Sequence, residues 1–352
     1  MITKYIALDV HLACIVIVVM DAAGKVVLKD VMTTSVPAIQ KFFKSLKGRL
    51  IVTFEEGTLS QWLYETIQPL ADQVIVCNPR RNRLLSEGSK NDRIDTRKLA
   101  DLLRTGMLKP VYHGQAGTGV LKELVRSYDA LVGDTNRVMN RLKAVYRSRG
   151  IKTAGRDVYY KRNREEWLGR IDRPAKRDRA AVLYQQFDCL RDLRREAKRK
   201  MLLEARRHSA WKILRTIPGL GPIRVAIVIA IISTPHRFRS KRQLWKYCGL
   251  SVVTESSSDY YFVQQLLKRS SKQPLTRGLV REFNHLLKSV LKSAAVEAIR
   301  KEPFKTFYQL RISAGVPAEM ARLIVARKIA TLILVLWKRG VVFDKNCLLK
   351  AA

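Results

Sequence analysis

Asp9 lies inside YIALDV (residues 5–10), an apolar run with the composition of a buried strand, and that carboxylate constrains the fold more than any other side chain. Burying it costs free energy unless a partner or a cation compensates. Glu55, Asp92 and Asp95 follow in a chain of formal net charge +37, where acids are scarce. Carboxylates held together raise one another's pKa and are tolerated mainly where a divalent cation neutralises them. The set therefore predicts a Mg²⁺ (or Mn²⁺) site facing a polyanion.

Lys and Arg number 67 against 30 Asp and Glu, and 47% of residues are hydrophobic, so the chain is expected to fold and to bind nucleic acid through its phosphates. The basic excess grows from residues 1–112 through 113–210 to 211–352, the three expected domains. Acids belong to the front and most of the phosphate-binding surface to the back. No signal peptide is evident, and the longest apolar run, near Ile329 to Trp337, is bounded by Arg327, Lys328 and Lys338, so a buried helix and no membrane partner are expected. Cys14, Cys77, Cys189, Cys248 and Cys347 show no CxxC or Cys/His ligand spacing, which predicts a reducing, cytoplasmic setting without structural zinc.

In the first segment, residues 5–10, 14–19 and 26–28 read as three meandering strands, with a DAAGK turn after the second. Helix over 36–46, strand over 50–54, helix over 59–70 and strand over 74–77 complete a mixed α/β order. Asp9 near one strand end and Glu55 just past another would share a sheet edge, the place where open sheets collect sites. Glu56 is the alternative to Glu55, since alternation lets only one of the adjacent pair face the site. Asp92 and Asp95, at i and i+3, share a helix face if a helix begins near Asp92. A DxxD at a helix start also suits an N-cap and a dipole-favoured acid, and Asp9 tips the reading toward a common site.

IALDVH, FEEG, CNPRRNR and KNDRIDTRKLADLL, in that order, resemble the RuvC-like domain of the DEDD-type insertion-sequence transposases, the family that includes the Piv invertase and the bridge-RNA-guided recombinases. The resemblance implies a ribonuclease-H-like fold and makes Asp9, Glu55, Asp92 and Asp95 the metal-binding tetrad.

From Leu121, the residues Leu124, Tyr128, Leu131, Thr135, Val138, Leu142 and Val145 repeat at steps of three and four, a coiled-coil seam with one polar interruption. Leu183, Phe187, Leu190, Ala197 and Met201 form a second stripe beyond a basic stretch from Lys152 to Arg179, so an antiparallel helical hairpin with a basic tip is expected. It serves either as a rigid or dimerising arm or as a nucleic-acid contact.

Beyond residue 211 a mainly helical domain is expected. ILRTIPGLGP (residues 213–222) resembles a helix-hairpin-helix element, whose helix-start N–H groups can hold phosphate, although a tight interhelical turn also wants Gly and Pro. Expected phosphate contacts are Arg80, Arg81, Arg83 and Lys90 in the front loop, Arg237, Arg239, Lys241 and Arg242 before CGL, and Lys268, Arg269, Lys272 and Arg277 after it. This half resembles the transposase domain of the same family, and ARLIVARKIATLILVLWKRG resembles its final helix. Aligned from Gly249 and Leu250, the family's nucleophilic serine falls on Ser257. Ser258 follows where the family usually has glycine, which leaves Ser256 and Ser258 as alternatives.

A serine hydroxyl needs activation, and His11, His113, His208, His236 and His285 form no evident Ser–His–Asp set. The resemblance implies that metal held by the tetrad assists serine attack on a DNA phosphodiester, giving a covalent phosphoserine and then strand exchange in a dimer or tetramer. It also implies a structured guide (bridge) RNA pairing with donor and target DNA. The competing readings are a two-metal nuclease or Holliday junction resolvase that activates water, and a non-enzymatic architectural nucleic-acid-binding protein.

Overall fold

The computed structural model describes residues 2–78, 92–113, 117–255, 260–263, 266–269, 275–346 and 348; at 92–94, 254–255, 260–263, 267–269 and 275–277 it describes the backbone only. Two compact units divide the chain, Met1–Gln115 and Ala116–Ala352.

The first unit is a five-stranded mixed sheet flanked by helices. In chain order come β1 (Thr3–Val10), β2 (Cys14–Met20), β3 (Val26–Thr33), α1 (Val36–Ser45), β4 (Arg49–Glu55), α2 (Ser60–Ile67), β5 (Gln73–Cys77) and α3 (Asp92–Arg104). The sheet order is β3-β2-β1-β4-β5, with β2 antiparallel to both its neighbours and β4 parallel to β1 and β5. A mixed sheet of this kind is consistent with a RuvC-like domain. The period of two along each strand feeds two separate cores. Ile6, Leu8, Val52 and Phe54 pack under α1 and α2, against Ile39, Phe43, Leu63 and Ile67. Ala7, Val18 and Met20 face the other way, against Leu99, Ala100 and Leu103 of α3. Asp9 continues the parity of Ala7, and Glu55 that of Ile51 and Thr53, so alternation directs both acids to the α3 side. The third strand runs to Thr33, well past the expected Leu28, because Thr33 still pairs with Cys14. Glu55 ends β4 rather than following it, since it pairs with Cys77.

The second unit begins with two long helices, α4 (Gly119–Arg147) and α6 (Pro174–Arg207), with the short α5 (Arg164–Gly169) between them. Leu121 and Val125 near the start of α4 share a core with Met201 and Ala205 near the end of α6. Val138, Leu142 and Val145 meet Leu183 and Phe187 at the other end, so the pair is antiparallel. Thr135 is tolerated in the seam because its hydroxyl donates to the Leu131 carbonyl at 2.6 Å. The basic tip is a small folded cap rather than a plain loop. Trp167, Val158, Tyr159 and Ile171 close over the helix ends, and Tyr184 Oη donates to the Val158 carbonyl at 2.8 Å. Arg164 grips Asp188 through two bonds of 2.5 and 2.6 Å, which hold the Asp188 carboxyl below the ordinary range.

Beyond the arm lie α7 (Ala210–Leu214), α8 (Pro222–Ile232), α9 (Lys241–Tyr247), α10 (His285–Ala298), α11 (Phe304–Ser313) and α12 (Ala318–Arg339). Helix α8 is buried around most of its circumference, as its apolar sequence requires. Gly219, before α8, has φ +85°, and a Cβ there would lie 2.3 Å from the Ala294 carbonyl oxygen, so this glycine allows the turn to pack on α10. Two strand pairs interrupt the helical domain, β6 (Val252–Glu255) with β9 (Leu275–Leu279) and β7 (Tyr260–Val263) with β8 (Leu266–Arg269). Their short runs lie among polar residues and carry too few alternations to be read in advance. Among the described residues, no helix is long and apolar enough to cross a membrane.

Candidate functional site

Asp9 and Glu55 stand one step beyond the paired residues Leu8 and Phe54 of adjacent parallel strands. A tight turn fixes the exit of Glu55: the Gly57 N–H donates to Ser60 Oγ at 2.6 Å, and Ser60 Oγ bonds the Glu55 carbonyl at 3.3 Å. Helix α3 lies over the same sheet face through Leu99, Ala100 and Leu103 and carries Asp95 in its first turn. Asp92 begins that helix, and its side chain lies outside the described atoms.

Partial burial raises the Glu55 carboxyl above its ordinary pKa, and the charges of Asp9 and then Asp95 raise it further. Three acids from a strand, a second strand and a helix therefore feel one another electrostatically. His11 was not singled out as functional in the sequence, yet its Nε2 lies 3.2 Å from Asp9 Oδ2. The available signal was its two-residue spacing from Asp9, which brings both side chains to one side of an extended segment. Beside Glu55, a cavity of about 330 Å³ opens against Val10, Leu12, Phe54 and Thr58.

Oxygen donors of this kind suit a hard divalent cation, which takes carboxylates together with waters or substrate oxygens. Among the described residues no group of three His, Cys, Asp or Glu side chains is closed enough to cage a metal alone. The donor set fits an open site in which other oxygens complete the shell.

Ser256, Ser257, Ser258 and Lys272 of the second unit lie outside the described residues, as do Arg80, Arg81, Arg83 and Lys90 of the first. For Lys268, Arg269 and Arg277 only the strand backbone is described. The CGL turn that precedes the serine segment is firmly held. Gly249 has φ +65°, and a Cβ on it would fall 2.4 Å from the Phe283 ring. Arg327 Nε donates to the Leu250 carbonyl at 2.6 Å, while Trp245 Nε1 donates to the Arg327 carbonyl at 3.1 Å. Strand β6 then leaves this turn and pairs with β9. Arg239, Lys241 and Arg242 are exposed, as phosphate contacts would be. Arg237 is half-buried, its guanidinium over the rings of Phe238 and Tyr247 at 4.9 and 4.7 Å.

Residues 6–148 match the family model DEDD_Tnp_IS110, described as a transposase. Residues 211–309 match the model described as Transposase IS116/IS110/IS902 family. No curated protein matches the chain.

Proposed function

Because this chain belongs to the IS110 family of DEDD transposases, and so is a DNA transposase, we propose that it cuts and rejoins insertion-sequence DNA through a covalent phosphoserine formed by Ser257. The observation that carries this reading is the convergence of acids in the first unit, where burial first and then the charges of Asp9 and Asp95 push the Glu55 carboxyl upward. Such a cluster suits a cation and a substrate phosphate better than it suits isolated folding.

Asp9, Glu55, Asp92 and Asp95 would hold Mg²⁺ or Mn²⁺. When bound, that ion supplies charge neutralisation at the scissile phosphate and lowers the cost of a serine alkoxide. Ser257 Oγ forms the new O–P bond, the deoxyribose oxygen leaves with the electrons of the broken P–O bond, and the serine proton passes to solvent or a nearby base. Because the phosphodiester energy is kept in the Ser–O–P link, a second DNA end can reverse the exchange without hydrolysis. Exposed Arg239, Lys241 and Arg242 would grip the DNA backbone.

The finer architecture belongs to the same proposal: residues 1–112, 113–210 and 211–352 as working parts, the α4–α6 pair as a coiled-coil arm, the Gly219 turn as a helix-hairpin-helix-like phosphate contact, and a dimer or tetramer as the active assembly. The excess of Lys and Arg suits a guide RNA as well as DNA. Sequencing RNA that co-purifies with the protein distinguishes the two, since a guided enzyme enriches an element-derived transcript.

The test of the chemistry is a denaturation-resistant protein–DNA species. Wild type with Mg²⁺ and element-end DNA should give it, and Ser257→Ala should lose it. Loss instead in Ser256→Ala or Ser258→Ala moves the nucleophile, and free cleaved ends without adduct favour the water-activating nuclease.

A further inference from the structure

A groove of about 780 Å³ runs between α10 and the start of α12, within the ~300–1,000 Å³ range of small-ligand sites. No residue of it belongs to the acid cluster or the serine segment. One wall is aromatic: Phe283 and His285 lie with ring centroids 4.4 Å apart. The same wall carries two cations. Lys288 and Lys292 are one helical turn apart on α10, and Lys288 Nζ stands 4.0 Å from the Phe283 ring centre. Neither lysine has a carboxylate partner among the described residues; Glu319, the acid that lines the groove, is 4.0 Å from Arg322. Partial burial, and then Lys292, hold the Lys288 ammonium below the ordinary lysine pKa. Two like charges held together beside an aromatic face form an arrangement that a bound anion relieves.

The geometry selects among anions. A carboxylate-bearing peptide would satisfy the lysines and leave the ring pair without a matching face, whereas a nucleotide carries both a phosphate and a flat base. A stacked duplex presents no free base face to a ring set in a groove, so an unstacked nucleotide fits best. The groove also adjoins the framework of the candidate serine. The Phe283 ring abuts Gly249, and Leu279, at the end of β9, lines the groove while pairing with Val252 of β6.

We propose that this groove holds one or two unstacked nucleotides of a single-stranded segment, the base on Phe283 and His285 and the flanking phosphates on Lys288 and Lys292. The assignment rests on the nucleic-acid role of the chain but on neither the serine nor the metal. In a transposition reaction its occupant is a nucleotide freed from the duplex beside the cut, or an unpaired base of an RNA loop.

Fluorescence anisotropy on the full chain in EDTA tests it, using short labelled oligothymidylate and oligouridylate against a duplex of equal charge. Phe283→Ala should weaken single-strand binding about 5- to 100-fold, with Phe283→Tyr close to wild type and duplex affinity changed less than about twofold. Lys288→Gln with Lys292→Gln should reduce the salt slope of single-strand binding by about 1.4. Should Phe283→Ala fail to fold, because Phe283 supports the Gly249 turn, the exposed His285→Ala carries the same test. Unchanged single-strand affinity in the folded aromatic variant overturns the proposal, as does an equal loss for single strand and duplex, or full competition by polyglutamate. Stronger loss for thymidylate assigns the groove to a DNA strand and stronger loss for uridylate to RNA. Cleavage is not required, so a wrong nucleophile would leave these results untouched.

Discussion

The two units gather like charges in opposite senses. In Met1–Gln115, Asp9, Glu55 and Asp95 converge at strand and helix ends, open to solvent. In Ala116–Ala352, cations converge, and one of them is inside: Lys328 of α12 is buried, and Nζ has no hydrogen-bond partner among the described residues. Burial first, then the charges of Lys241 and Arg311, lowers its pKa. Both arrangements cost folding free energy. On the proposed function the relief differs: a small cation would offset the acids of the first unit, and a polyanion the exposed cations of the second. The arm tip is the contrasting case, since Arg164 and Asp188 satisfy each other within the chain.

The largest expected effect breaks the comparison if it fails. Lys328→Met keeps the side-chain volume and removes a buried amine that has no hydrogen-bond partner among the described residues, so it should raise the stability of the protein to chemical denaturation by about 1–3 kcal/mol. A loss of stability would mean that the ammonium is satisfied and that the second unit is not strained as described.

A smaller effect sharpens the acid side. Glu55→Gln should stabilise the first unit at neutral pH without divalent cation, because it removes repulsion from Asp9 and Asp95. The pH dependence has a definite sign. With its folded pKa above its unfolded one, the native Glu55 holds its proton longer, so stability falls as pH rises from the ordinary glutamate value through the raised one. Urea titrations at several pH values should show that slope in wild type and its loss in the variant. Divalent cation should erase the stability advantage of the glutamine.

How much of this was legible in the sequence differs between the units for the same reason that their sites differ. YIALDV and RLIVTFE are apolar runs that read as strands, and the strand period of two then carries Asp9 and Glu55 to one face; α3 follows from its apolar spacing. The extra length of β3 was hidden because its residues are largely exposed, and an exposed edge strand lacks the apolar signal of a buried one. In the second unit the α4 seam was readable from its steps of three and four. The cap over it was masked by charge: between Lys152 and Arg179, the basic residues obscured a core built from Val158, Tyr159, Trp167 and Ile171. The PGLGP turn illustrates a motif whose chemistry and packing coincide, since Gly219 is required by the approach of Ala294 whether or not phosphate binds. The pairing of β6 with β9 was illegible because both are short runs among polar residues, and the Phe283 groove because it joins α10 to α12.

The central claim is that the acids of the first unit serve a serine-based strand transfer. Its most direct measurement is the yield of covalent protein–DNA adduct from Asp9→Asn and Glu55→Gln with Mg²⁺, scored beside their DNA affinity. The account predicts a fall of at least about a hundredfold in adduct with DNA binding retained. Wild-type adduct yield in both variants would contradict it.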